Sequence, residues 1–133
     1  MRNMSFFLTG NQLLDNRKDV TRRMGWRTLK PGALVRAVFK SQGLRKGEMV
    51  RPLGVIRIRK IDRVRLNDIT PDECRREGFP KFTPEQFVDL FCREMRCEED
   101  AMVTRIEFEF LKARVIVEGY NESDMTYQTR LTI

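Results

Sequence analysis

Between Leu53 and Leu66 the chain alternates as a strand does and then loses step. Ile56 and Ile58 take turns with Arg57 and Arg59, giving one face for a core and one cationic face for solvent. At Lys60-Ile61 the phase slips by one residue, which is what a β-bulge or a barrel corner does to a period of two. A second clean alternation runs from Val103 to Phe110, with Ile106, Phe108 and Phe110 inward and Arg105, Glu107 and Glu109 outward. Two long amphipathic strands therefore frame the middle of the chain, and whatever lies between them has to pack on the sheet they build.

That insert announces two helices. Thr70-Pro71-Asp72-Glu73 and Thr83-Pro84-Glu85-Gln86 both read as capping boxes with proline at the first helical position. Gly78, followed by Pro80, stops the first helix. The second runs to about Met95 and carries Phe87, Leu90, Phe91 and Met95 on one stripe, read here as core. Ahead of the long strands come a short apolar strand over Ser5 to Thr9 and a helical turn or two over Gly10 to Asn16, with Leu13 and Leu14 inward. A Lys30-Pro31-Gly32 turn, a strand over Ala33 to Lys40 and a basic loop over Ser41 to Arg51 follow. The expected architecture is α+β: a small, mostly antiparallel β-barrel with helices flanking a cleft at its mouth. Residues 111–133 hold further strand-like sequence around an Asn121-Glu122-Ser123-Asp124 turn.

The chain has 133 residues, 41% of them hydrophobic and 34% charged, enough for one domain with a core. It has no apolar run of about 18 residues and no N-terminal signal pattern. A cytoplasmic protein with no membrane partner is expected. Histidine is absent, which removes Ser-His-Asp triads, Cys-His dyads and HExxH zinc sites. Cys74, Cys92 and Cys97 lack metal-ligand spacing and read as reduced thiols in or near the core. No metal and no cofactor are expected.

Charge is distributed unevenly. Residues 1–66 hold 17 of the 26 Lys and Arg but only 4 of the 19 Asp and Glu. Either the first half builds a cationic surface that attracts polyanions, or the two halves interleave in space and cancel. The densest cationic stretch is Asn16-Arg17-Lys18-Asp19-Val20-Thr21-Arg22-Arg23, close to the single tryptophan, Trp26. Arg17, Arg22 and Arg23 are candidate phosphate contacts, and Arg57 and Arg59 extend the track. Trp26 either stacks an unpaired base or packs against the domain.

Asn16-Arg17-Lys18-x-x-Thr21-x-Arg23, then Lys30-Pro31-Gly32, then Glu77-Gly78-Phe79-Pro80, resembles in order and spacing an ASCH domain, a family related to the RNA-binding PUA fold. The family signature opens on glycine; here Asn16 stands in its place, and asparagine tolerates the same positive φ. The resemblance covers residues 4–110, so residues 1–110 are expected to form the ASCH domain and residues 111–133 a C-terminal extension packed on it. It implies a PUA-like barrel whose cleft binds RNA or a nucleotide, with DNA as a further possibility. Small bacterial relatives remove an acyl group from N4-acetylcytidine with Lys, Thr and Glu, positions that fall here on Lys18, Thr21 and Glu77.

Such a trio is chemically coherent. Threonine is a poor nucleophile until a base takes its proton. Without histidine, a lysine kept neutral by burial and by neighbouring cations can serve. Lys18 and Thr21, three residues apart, would share one side of a helical turn or a compact loop. Glu77 would then orient or protonate the departing amine. Glu77 falls in the last turn of its helix, where the dipole disfavours an acid. It pairs either with Arg75 or Arg76 beside it or with Lys18 across the cleft.

Overall fold

Strand pairing converts the two alternating runs into one ribbon that organises everything else. In the computed structural model, which describes residues 1–40 and 45–111, β1 is Asn3–Ser5, α1 Gly10–Leu14, β2 Val20–Arg23, β3 Leu34–Val38 and β4 Pro52–Arg65. A 3₁₀ turn at Leu66–Asp68 leads to α2 (Pro71–Arg76), α3 (Pro84–Met95) and β5 (Met102–Phe110). β4 and β5 pair antiparallel over almost their whole length, Ile56 opposite Phe110 and Arg65 opposite Met102. The register shifts between Ile58 and Lys60, so the loss of step in the sequence is a β-bulge at Arg59.

The five strands form a mixed sheet in the order β1-β3-β4-β5-β2, with β1 parallel to β3 and every other pair antiparallel. The fold is α+β as expected, but the sheet is not closed. A barrel needs its two edge strands to pair, and here they are the short β1 and β2, of three and four residues, which share no ladder among the described residues. The first strand also lies earlier than Ser5–Thr9. The parallel pairing ends at Ser5 opposite Val38, the Phe6 N–H still donates to Val38 O, and Phe7 to Thr9 turn away from the sheet to start α1. The strand expected over Ala33 to Lys40 is β3, two residues shorter at its C-terminal end. Residues 41–44 and the extension beyond Leu111 lie outside the described residues.

Two cores result. Met4, Phe6, Leu13, Val35, Ile56, Ile58, Ile106 and Phe108 pack together as one core on the sheet. Leu66, Ile69, Cys74, Phe87, Val88, Phe91 and Val103 join the helices to the far end of the β4–β5 ribbon. Both helix starts are where the sequence puts them. Thr83 accepts from the Gln86 N–H while Gln86 caps the Thr83 N–H, a complete capping box. Thr70 accepts from the Glu73 N–H, but the Glu73 carboxylate turns to Arg22 and Arg105 instead of closing the box. No described helix is long and apolar enough to cross a membrane.

Candidate functional site

The gap between the two unpaired sheet edges is where the candidate site lies. A cavity of about 190 Å³ opens there, with Ser5 to Thr9 from the β1 edge on one side and Thr21, Arg22 and Arg23 of β2 on the other. Glu77 and Phe79 close it from the end of α2, and Phe87, Leu90, Phe91 and Met95 from α3. The α3 stripe, expected as plain core, thus has a second use: Phe87 and Phe91 are buried yet form the apolar wall of the cavity.

Local structure explains how Glu77 reaches the floor. Helix α2 ends in a Schellman motif, with the Phe79 N–H donating to Cys74 O (2.9 Å) and the Gly78 N–H to Arg75 O (3.0 Å). That geometry needs a left-handed residue after the cap, and Gly78 supplies it at φ +101°. A side chain there would come within 3.1 Å of Gln12. Across the gap, Asn16 takes φ 58° at the exit of α1, as its sequence position suggested. The chain then runs extended, and the Asp19 N–H donates to Arg76 O at 3.0 Å. Lys18 is thereby laid against the helix end. It precedes β2 and Thr21 lies in it, so extended backbone, not a helical turn, brings the two to one cavity.

Lys18 Nζ donates to the Glu77 backbone carbonyl (2.8 Å) and to Glu77 Oε1 (3.0 Å). Arg22 Nη1 donates to Glu77 Oε2 at 2.9 Å and its Nη2 to Glu73 Oε1 at 2.9 Å. Lys18 and Glu77 are 4% and 3% exposed, so the acid at an unfavourable helix end is held by two buried cations. The ammonium on the terminal carbonyl also complements the helix dipole. Of the two partnerships left open by the sequence, the one across the cleft forms; Arg75 pairs with Asp72, and Arg76 with Asp19 and Glu107.

Burial pushes the Lys18 pKa down, against the upward pull of Glu77, and the positive charges of Arg23 and Arg22 lower it further. Glu73 goes the other way. Its hydrogen bond from Arg105, helped by Arg22, holds the carboxyl at about 2. Arg23 is pushed down to about 10 by burial, with Glu77 opposing, and stays charged at neutral pH. Its Nε donates to Thr21 Oγ1 at 3.0 Å and its guanidinium lies 4.8 Å from the Phe6 ring centre.

Lys18, Thr21, Arg22, Arg23 and Glu77 therefore converge as the sequence suggested. Four other candidates do not line this cavity. Arg17 is exposed and pairs with Asp15. Trp26 packs against the main core with Arg2 stacked 3.9 Å over its ring, which occupies a face a base would need. Arg57 and Arg59 sit on the outer face of the sheet and both pair with Glu109. The charge asymmetry resolves likewise. Cations of the first half meet acids of the second at Lys18–Glu77, Arg22–Glu73 and Arg59–Glu109, so the halves interleave. Sequence patterns did not mark Phe6 to Thr9 or Phe79 as lining residues, although Phe79 stands two residues after Glu77 in the Glu77-Gly78-Phe79-Pro80 stretch. Among the described residues no cluster of His, Cys, Asp or Glu is arranged to hold a metal ion.

The same arrangement of strands and helices occurs in solved structures. An ASCH domain from Lactobacillus crispatus JV V101 superposes with a TM-score of 0.55 at 17% identity, covering 77% of this chain and 70% of that one. The chain has the fold of an ASCH domain. Protein EF3133 of Enterococcus faecalis V583, described as DUF984, matches equally, with a TM-score of 0.55 and 18% identity over 77% of this chain and 69% of its own. No protein-family model and no curated protein matches the sequence. The likeness to ASCH structures is thus one of backbone arrangement.

Proposed function

We propose that the ASCH cavity of this protein binds one nucleobase-bearing unit, either a free nucleotide or nucleoside or a base turned out of RNA. The observation that carries this reading is the composition of the walls: Phe6, Phe79, Phe87 and Phe91 surround a floor of Lys18, Thr21, Arg23 and Glu77. Aromatic walls suit a flat heterocycle, and a few convergent polar groups fix its orientation. At about 190 Å³ the space is below the roughly 300–1,000 Å³ of pockets for drug-sized ligands, which favours a single base or nucleoside over a longer segment. The interleaving of acids with the cations argues against a broad phosphate track and for a local site.

A second reading is amidohydrolysis of an N4-acylcytidine, and the depressed Lys18 pKa favours it. In that chemistry a neutral Lys18 takes the Thr21 hydroxyl proton as the oxygen attacks the acyl carbon. The C–N bond then breaks, the departing amine receives from Lys18 the proton taken from Thr21, and water releases the acyl group from Thr21. Incubation with N4-acetylcytidine separates the two readings. Binding without release of cytidine supports a binding module. Cytidine formed by the wild type and not by the isosteric Thr21→Val supports the hydrolase. Neither binding nor turnover across free and acylated nucleosides, mononucleotides and short single-stranded RNA would refute both.

A further inference from the structure

The cavity has unequal demands on its ligand. Lys18 Nζ is committed twice to Glu77, and Arg22 is committed to Glu77 and Glu73. Glu77 in turn spends one carboxylate oxygen on each cation. Glu94, the other acid of the lining, is exposed on α3. Arg23 differs from both of its neighbours. Among the described residues no carboxylate pairs with it. Its Nε is used on Thr21 Oγ1 and one face is covered by Phe6, while its two terminal nitrogens donate to no described residue. The residue is half-buried and lines the cavity.

A guanidinium held by Nε and by one face presents its two remaining N–H edges as a fork, the geometry that meets phosphate in a bidentate fashion. The Thr21 hydroxyl accepts from that same group and donates to no described residue, so its proton is available beside the fork. Glu77 acts on this cation only at a distance, its two carboxylate oxygens being spent on Lys18 and Arg22, so an anion at the fork gives the half-buried guanidinium the direct partner it lacks among the described residues.

We infer that the occupant of the cavity carries a phosphate engaged by Arg23 and Thr21, so that the ligand is a nucleotide unit and not a neutral nucleoside. This rests on the nucleobase reading above. It adds a charge requirement which that reading does not contain. The phosphate could be the terminal group of a mononucleotide or a diester of an RNA strand; both present non-bridging oxygens to the fork.

Calorimetric titration of the wild-type protein with cytidine, cytidine 5′-monophosphate and the dinucleoside monophosphate CpC tests it. One or both phosphate-bearing ligands should bind about tenfold or more tightly than cytidine, the factor a charge-assisted hydrogen bond supplies. A gain for the monophosphate identifies a terminal phosphate, and a gain for CpC a diester. In Arg23→Gln, checked for an unchanged melting profile, the gap should close; in Arg23→Lys, which keeps the charge and loses the fork, part of it should persist. Cytidine binding as tightly as both other ligands would overturn the inference and leave the nucleobase reading standing. Binding of none of the three would defeat that reading and this inference with it.

Discussion

Two sets of arginine–carboxylate pairs, one at the cavity floor and one on the outer face of the sheet, use the same chemistry to different ends. At the floor, Arg22 and Lys18 share Glu77 with side chains 3–4% exposed. On the outer face, Arg57 and Arg59 share Glu109 with side chains 39–57% exposed. In sequence Arg22, Arg57 and Arg59 all looked like phosphate contacts. Burial separates them. Charges out of water are bound to each other and fix the position of α2 against β2, whereas solvated charges exchange partners at little cost. A dense run of cations therefore says little about ligand binding until it is known which cations the protein's own acids have already engaged.

The widest separation should come from removing the shared acid in each set. Glu77→Ala leaves Lys18 and Arg22 short of a buried partner and should cost about 3–5 kcal/mol, read as a lower midpoint in urea unfolding. Glu109→Ala should stay within about 0.5 kcal/mol. Equal losses from the two substitutions would erase the distinction. A smaller effect should follow acid. The carboxyl of Glu73 is held at about 2 from an ordinary 4.5. Its pairing with Arg105 and Arg22 is therefore fully present above about 4.5 and lost as the pH falls towards 2. Melting temperature should decline through that window in the wild type and decline less steeply in Glu73→Gln; identical slopes would show that Glu73 is not held as described.

Local features were readable in the sequence and non-local ones were not. The Thr70 and Thr83 caps, the Gly78 stop and the bulge beside Lys60 depend on a few neighbouring residues, and each sits where its residues place it. Sheet closure depends on two short edges far apart in the chain, and no periodicity in Asn3–Ser5 or Val20–Arg23 reveals whether they meet. The failure to close is what opens the cavity. Lys18, Thr21 and Arg23, with Glu77 far along the chain but joined to them in one motif pattern, line the same cavity. That pattern could not tell that the terminal nitrogens of Arg22 would bridge Glu73 and Glu77, that Arg2 would cover Trp26, or that Arg57 and Arg59 would face away.

The most direct test is to map a nucleotide onto the molecule. In ¹⁵N-edited NMR spectra of the intact chain, titration with cytidine 5′-monophosphate should shift the amides of residues 5–9, 21–23 and 77–79 and the Arg23 Nε–H, leaving those around Arg57, Arg59 and Glu109 in place. Shifts confined to the outer face of β4 and β5, with the residues between the two open sheet edges unmoved, would contradict the account.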